Sequence, residues 1–361
     1  MNTRYRSRDQ RGFVLLTVLA MVVVLALLAT AAAITVSRLR REAIVQQERL
    51  RGELDAYSTR STLLYLLGTQ RMTFAGLTVD DRIVYTAEEQ ATRKVDPEDL
   101  SISYTPVGNE IRLDGRVYRG LGDSQFALQD DRGRLSIDWA VAGTYDNLLR
   151  QLKVPIDQRG VLTDRLLDYQ DSDDLPRLNG AEAPTYLQRG LPPPPNRPLL
   201  TPFELRRVLG WENYLGAWSD ADLARRLSAV RSVSINVNTA PASVLAMLPG
   251  VTPGMAQRMV AYRNLSPVNG YEEAQQLLPG LPPETDLVAL YPGPSGTLES
   301  WPGTGGEGWQ LHWTLTPFEH QGQPWRIDDA VRLERSGNAV AGSAGRPAGA
   351  AFAGGPLVPG G

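Results

Sequence analysis

Residues 13–36 form an uninterrupted apolar segment, FVLLTVLAMVVVLALLATAAAITV, without a charged side chain. As an α-helix it would be about 36 Å long, enough to cross the hydrocarbon core of a bilayer, which is about 30 Å thick. A secretory signal peptide differs, because its apolar region has only about 7 to 15 residues and ends at a small-residue cleavage site. This segment instead runs directly into a charged amphipathic segment, residues 37–68. The pattern predicts one helix over residues 13–67, with residues 13–36 in the membrane and the remainder packed on a globular head.

The composition excludes several classes of function. The chain of 361 residues has no cysteine, which rules out disulfides, thiol catalysis and cysteine metal sites. Its formal net charge is −3, so the positive excess that drives binding to nucleic acid phosphates is missing. The two histidines, His312 and His320, lie far from any nucleophile motif, and no phosphate-binding or metalloprotease motif is present. We therefore expect no enzymatic activity, with an acid hydrolase built on paired carboxylates as the enzymatic alternative.

The residues before the apolar segment resemble a prepilin leader. A short basic stretch ends at Arg11 and Gly12, and Phe13 opens the apolar helix, as in type IV pilins and type II secretion pseudopilins. The resemblance implies cleavage after Gly12 by a prepilin peptidase and N-methylation of Phe13. Most members carry Glu at the fifth mature position, whereas this chain has Thr17, a departure typical of the minor pseudopilin K subgroup. Because a carboxylate in lipid is costly without a partner charge, a subunit that lacks it suits the tip of a filament.

Alternating apolar and polar residues predict short antiparallel strands in two regions, residues 100–139 and residues 309–337. Asp131, Arg132 and Gly133 are predicted to close a hairpin in the first region. The segment 126–140, FALQDDRGRLSIDWA, is similar to the end of the first part of the pilin sheet in minor pseudopilin K proteins. The two strand regions are predicted to complete one sheet around a helical insertion.

An acidic segment lies between them, LLDYQDSDDLPRLNGAEAPTY at residues 166–186. Carboxylates at this density repel one another unless a cation lies between them, which favours Ca²⁺, although a solvated loop with helix-capping aspartates is equally compatible with the composition. The spacing is not that of an EF-hand, because Leu175, Pro176 and Arg177 occupy its ligand and glycine positions. The segment resembles a hallmark of minor pseudopilin K proteins, which bind calcium in their inserted helical domain. The ligands that this resemblance implies are Asp168, Asp171, Asp173, Asp174 and Glu182.

Residues 235–264 predict a helix, a Leu-Pro-Gly-Val turn and a second helix, with Asn238 or Thr239 capping the first helix. This is a helix-hairpin-helix pattern, and residues 272–290 contain a weaker copy. In DNA-binding proteins the hairpin amides and nearby basic side chains hold phosphates. Here the hairpin has no basic residue and acidic residues surround the copy. A packing role is favoured and no nucleic acid partner is expected, while a membrane-anchored DNA-binding or DNA-uptake protein is the alternative function.

From these motifs the chain is identified as a member of the type II secretion minor pseudopilin K family over residues 1–335. The resemblance implies an α+β, pilin-like fold. A long N-terminal transmembrane α-helix packs on an antiparallel β-sheet that is interrupted by a large inserted α-helical domain with helix-hairpin-helix-like (SAM-like) repeats. The predicted regions are a leader (1–12), the N-terminal helix (13–67), the pilin domain in two parts (68–143 and 292–336), the inserted domain (144–291) and a Gly/Ala/Pro tail expected to be disordered (337–361).

The implied function is structural: a subunit at the tip of the pseudopilus that helps to initiate its assembly for the export of folded proteins across the outer membrane. The implied partners are I- and J-like minor pseudopilins, the major pseudopilin and the prepilin peptidase. The resemblance places the chain in the bacterial inner membrane, with a single span and its C-terminal domain in the periplasm.

Overall fold

The computed structural model describes residues 11–79, 104–138, 142–282, 286–303, 307–316 and 323–333, together with Pro347 and Phe352. The chain divides into two units, Met1–Leu54 and Asp55–Gly361. The described part of the first unit is the beginning of one long helix, α1 (Arg11–Thr69). The second unit contains the end of α1 and all the other elements. Residues 1–10, most of the predicted leader, lie outside the described residues.

Helix α1 confirms the single helix predicted over residues 13–67. Every side chain from Val14 to Val36 is exposed within its own unit. In the part of the chain that the structure describes, α1 is the one helix long and apolar enough to cross a membrane. A continuous apolar surface of this length is unfavourable in water, so its exposure fits a lipid environment.

The remaining helices are short and belong to the second unit. In chain order they are α2 (Ala142–Gln151), α3 (Ile156–Gln170), α4 (Ala183–Gln188), α5 (Glu212–Leu215), α6 (Asp220–Arg226), α7 (Ala242–Leu245), α8 (Pro253–Leu265) and α9 (Tyr271–Leu277). Helices α2 and α3 open the helical region predicted between the two strand regions.

The strands also lie in the second unit. They are β1 (Met72–Thr73), β2 (Gly76–Leu77), β3 (Asp114–Arg119), β4 (Gln125–Asp130), β5 (Leu135–Ser136), β6 (Leu227–Ser228), β7 (Ile235–Asn236), β8 (Val288–Ala289), β9 (Ser295–Trp301), β10 (Gly308–Leu315) and β11 (Trp325–Leu333).

A five-stranded antiparallel sheet has the order β11-β10-β9-β4-β3. Strands β4 and β9 are neighbours although the whole helical region separates them in sequence, and Leu128 lies opposite Leu298. The helical region is therefore an insertion between two adjacent strands of one sheet, as the sequence predicts, and the fold is α+β.

The head and the insertion have separate apolar cores. In the head, Leu63, Leu66 and Leu67 of α1 pack with residues of the sheet such as Phe126 and Trp313. Their spacing of three and four residues places them on one face of the helix. The insertion buries a larger cluster of its own, which includes Leu148, Leu166, Tyr186, Trp211 and Leu245.

The predicted hairpin at Asp131, Arg132 and Gly133 is wrong. These residues form a 3₁₀ turn, and β5 then pairs in parallel with β6 of the insertion instead of returning along β4. The reason is that β3 and β9 already occupy both edges of β4, which leaves no backbone groups for a further strand. A second two-residue parallel pair, β7 with β8, joins an inner part of the insertion to its C-terminal end.

Candidate functional site

The acidic loop begins where α3 ends. Asp168, in the last turn of α3, is fully buried, and it accepts hydrogen bonds from the backbone amide of Arg177 (3.1 Å) and from the Arg177 guanidinium (2.7 Å). Gly180 lies so close that a Cβ there would come 1.7 Å from the Asp168 carboxylate. The loop therefore wraps back onto Asp168, and a side chain at position 180 would prevent this.

Arg177 is the internal cation of this loop. Its guanidinium pairs with Asp168 and also with Asp171. The other two aspartates accept hydrogen bonds within the loop region: Asp173 from the amide of Leu175 (2.9 Å), and Asp174 from the side chain of Asn196 (3.0 Å). One arginine thus partly neutralises the cluster.

Glu182 has no such compensation. Glu182 is only 3% exposed. No donor among the described residues forms a hydrogen bond with either of its carboxylate oxygens. Burial, followed by repulsion from Asp168, Asp171, Asp174 and Asp173, raises the pKa of Glu182 to about 7. A buried carboxylate without a partner is costly, so this residue is the point of the loop most in need of a positive charge.

The five predicted calcium ligands therefore share one loop but do not form a ready coordination shell. Among the described residues, no group of three or more Asp, Glu or His side chains is arranged to hold a metal ion. The donor chemistry nevertheless suits a hard cation, because the orphaned atoms are carboxylate oxygens, both of Glu182 and Oδ1 of Asp171. The calcium site stays a prediction.

A second buried cluster, which the sequence does not reveal, lies at the junction of the sheet and the insertion. Asp130, at the end of β4, is fully buried and each of its oxygens accepts two hydrogen bonds. Oδ1 accepts from the amides of Arg132 (3.0 Å) and Gly293 (2.9 Å), and Oδ2 accepts from the side chains of Asn236 (2.9 Å) and Thr239 (2.8 Å). Burial raises the pKa of Asp130, and these four hydrogen bonds oppose the rise. One carboxylate therefore joins β4, β7 and the segment before β9.

Asp131 extends this cluster toward strands β10 and β11. It accepts hydrogen bonds from Arg134 (2.9 Å) and Ser295 (2.6 Å), and a ring nitrogen of His312 lies 2.8 Å away. Burial works to raise the pKa of Asp131, but His312 and Arg134 lower it on balance. The other ring nitrogen of His312 faces Asp328 of β11 at 3.0 Å. Burial tends to lower the pKa of His312, and the two carboxylates raise it overall.

The residues expected to cap a helix have other partners. Thr239 bonds Asp130, and Asn238 donates to the carbonyls of Val268 (2.7 Å) and Leu290 (2.8 Å). Helix α7 begins instead after Pro241, without a side-chain cap. The sequence signal for this cluster is the acidic pair Asp130 and Asp131 at the end of a buried strand.

The helix-hairpin-helix region packs its two hairpins together. A Cβ on either Gly250 or Gly280 would come 1.9 Å from the carbonyl oxygen of the other. Arg263 is 3% exposed, and its guanidinium donates hydrogen bonds to the backbone carbonyls of Val237 (2.6 Å) and Ala240 (2.5 Å). This arrangement favours the packing role over phosphate binding.

The predicted processing residues lie at the start of α1. Gly12 and Phe13 belong to its first turns, and Thr17 is on the exposed surface of the helix.

Asparagine at position 130 is expected to destabilise the junction. An amide has one accepting oxygen, so Asp130→Asn turns an NH₂ group toward two of the four donors, and those donors stay buried and unpaired. We expect a loss of about 2–4 kcal/mol in the free energy of unfolding, measured by denaturant titration of the detergent-solubilised chain. Asp123→Asn, a matched change at an exposed position in the turn before β4, should alter it by less than about 0.5 kcal/mol. Equal stability of the two variants would contradict the assigned role of Asp130.

Comparison with known proteins gives two family matches. The model of type II secretion system protein K matches residues 127–217, and a helix-hairpin-helix model matches residues 230–284. No curated protein matches the chain at a significant level. Among solved structures, a chain of the GspK-GspI-GspJ complex from the type 2 secretion system of enterotoxigenic Escherichia coli is similar, with 15% identity and a TM-score of 0.44. The similarity covers 82% of this chain and 100% of that one.

The protein K match covers two of the segments that carry the resemblance in the sequence, the end of β4 and the acidic loop. It begins within β4, passes through Asp130 and its neighbour, and includes the whole acidic loop with Arg177 and Glu182. Over residues 127–217 the chain is thus similar to type II secretion system protein K, in agreement with the minor pseudopilin K resemblance found in the sequence.

Proposed function

We propose that the chain is the tip subunit of a type II secretion pseudopilus and helps to initiate its assembly. In this proposal residues 13–36 anchor it in the inner membrane and the second unit lies in the periplasm. The observation that carries the proposal is an exposed, uncharged surface on α1 that has Thr17, and no carboxylate, at the fifth position after the predicted cleavage site. The role is structural, and no chemical reaction is assigned to the chain.

Charge is costly in the interior of a membrane. A carboxylate in the apolar part of a helix is stabilised only by a nearby positive group, such as the terminal amine of a neighbouring subunit. Subunits with Glu at this position can pair with a subunit ahead of them, whereas Thr17 offers no such charge. The chain can therefore be followed by other subunits but has no charge with which to bind one ahead.

The proposed partners are other pseudopilins. The solved complex named above contains GspK, GspI and GspJ, and we propose that this chain joins I- and J-like minor pseudopilins in the same way. Apolar contacts between N-terminal helices and side contacts between heads would hold the complex. The prepilin peptidase would cleave after Gly12, and the major pseudopilin would add behind the tip complex.

Position in the filament tests this proposal. Immunogold labelling of pseudopili assembled with the wild-type chain should mark filament ends. Thr17→Glu supplies a carboxylate for a subunit ahead, so label should also appear along the shaft, while co-purification with I- and J-like subunits persists. Thr17→Ser, which adds no charge, should keep the label at the ends. Shaft labelling by the wild-type chain, or no complex with either partner, would refute the tip assignment.

We also propose that the acidic loop binds Ca²⁺, through Glu182 together with Asp168, Asp171, Asp173 and Asp174. The loop contains Arg177 as a single cation shared by two aspartates, and it leaves the buried Glu182 without a positive partner. When bound, Ca²⁺ would neutralise these carboxylates and stabilise the loop. Because Glu182 and Asp171 hold the orphaned oxygens, substitution of Glu182 should affect binding most.

Calorimetry and thermal unfolding test the calcium proposal. We expect Ca²⁺ to release or absorb heat on binding and to raise the Tm of the wild-type chain, and EGTA to reverse the rise. Glu182→Gln should abolish most of this response. Asp157→Asn, at an exposed position on α3, should leave it unchanged. Absence of heat and of a Tm shift in the wild-type chain would remove the proposal.

The same variant has a distinct effect on the calcium-free protein. Because the folded-state pKa of Glu182 is raised to about 7 from its ordinary 4.5, its protonated form stabilises the fold below pH 4.5, and this contribution is lost as pH rises through 7. In EGTA, Glu182→Gln should therefore melt at a higher temperature than the wild-type chain at pH 8, and the difference should shrink toward pH 5. A wild-type advantage at pH 8 would contradict the unpartnered state of Glu182.

A further inference from the structure

His312, on β10, faces a carboxylate with each of its two ring nitrogens. Nε2 lies 2.8 Å from an oxygen of Asp131, and Nδ1 lies 3.0 Å from an oxygen of Asp328. The two aspartates belong to different parts of the fold. Asp131 directly follows β4 at the junction with the insertion, and Asp328 lies on β11, the strand at one edge of the sheet. The imidazole ring therefore connects the edge strand to the junction.

A β-bulge places Asp328 beside the ring. The register of β10 with β11 shifts between His312 and Trp313, and Asp328 is the residue of β11 that has no pairing partner on β10. A bulge redirects a side chain from the regular alternation of a strand. The carboxylate of Asp328 also accepts hydrogen bonds from Thr314 (2.5 Å) and Arg326 (2.7 Å). The bulge thus turns one carboxylate of the edge strand toward β10.

Only a charged imidazole ring satisfies both aspartates. An ionised carboxylate accepts hydrogen bonds, and a neutral imidazole donates just one, so a neutral His312 would turn a lone pair toward one of the two carboxylates. Burial works to raise the pKa of Asp328, but hydrogen bonds from Thr314, Arg326 and His312 lower it overall. The pKa of Asp131 is lowered as well, so both groups are carboxylates near neutral pH. The side chain of His312 is 18% exposed, which lets the ring exchange its proton with solvent.

Two further carboxylates lie on the strands beside β10. On β9 the residue opposite His312 is Thr297, which is uncharged. Glu299 lies two residues further along β9, opposite Gln310, and burial raises its pKa. On β11 Asp329 is opposite His312 in the register, but it is exposed to solvent, which screens its charge. The two carboxylates that the ring nitrogens face therefore decide the charge of the ring.

We propose that protonated His312 is a pH-operated clamp that holds the edge strand β11 to the junction of the sheet and the insertion. While the ring carries both protons, Asp131 and Asp328 share one cation. When the pH rises and the ring gives one proton to solvent, one carboxylate loses its partner and β11 is loosened. Because the pKa of His312 is raised from 6.5 in the folded state, the clamp stabilises the fold fully below pH 6.5 and is lost as pH rises through the folded-state pKa.

Histidine NMR of the full chain in detergent tests the charge of the ring. The sequence has two histidines, so the variant His320→Gln assigns the signals. We expect the imidazole signals of His312 to titrate with a midpoint above pH 6.5. Asp328→Asn removes one of the two carboxylates and should lower this midpoint. Asp329→Asn, a matched change at the neighbouring exposed position, should leave it almost unchanged.

Hydrogen exchange tests the effect on the strand. As pH rises through the midpoint of His312, the protection factors of the β11 amides should fall about tenfold, while those of β9 should stay constant. In His312→Gln, whose side chain carries no charge, β11 should have the lower protection at every pH. The proposal is overturned if the midpoint lies at or below pH 6.5, if the two asparagine variants titrate alike, or if the protection of β11 in the wild-type chain does not change with pH.

Discussion

The apolar surface of α1 is the constraint on which the rest of the structure depends. From Val14 to Val36 every side chain is exposed within its own unit and none is charged, so this surface requires a lipid or protein environment. The same helix continues into the head, where Leu63, Leu66 and Leu67 are buried. The first part of this helix therefore suits lipid, and its last turns pack in the apolar core of the head. A subunit built in this way carries its globular part on its own anchor, which is what a component of a membrane-bound assembly needs.

The large insertion lies between β4 and β9, two strands that pair directly, so the sheet stays continuous across it. A buried carboxylate, that of Asp130, fixes the point where the chain leaves the sheet. Asp130 needs four donors at once, and these come from both sides of the interruption and from the insertion itself. Because a buried carboxylate is costly unless its donors are in place, the junction forms only when all these segments are correctly positioned.

Much of this architecture could be predicted from the sequence. The uncharged segment predicted α1, and the strand, helix and strand signals predicted an insertion within one sheet. The acidic loop was predicted as a unit, but the pairing of Arg177 with Asp168 and Asp171 was not, since Arg177 occupies a position where a calcium loop would have a ligand. The short pairs β5–β6 and β7–β8 have two residues each, too few for a periodic pattern to indicate a strand.

Other errors arose where one local pattern has two meanings. Thr239 precedes a helix and resembles a cap, but its hydroxyl bonds Asp130, a residue far away in sequence. Phe352 lies in a segment whose composition favours disorder, and a single buried ring leaves no trace in composition. In both cases a tertiary partner decides the role of the residue, and local sequence contains no information on that partner.

We propose that residues 13–36 stay in the protein as a membrane anchor after the predicted leader is removed. Mass spectrometry of the N-terminal peptide, on protein extracted from isolated inner membranes of the natural host, tests it directly. We expect the mature chain to begin with N-methylated Phe13 and to leave the membrane only in detergent. A mature chain that begins beyond Val36 and is recovered in the soluble fraction would contradict it.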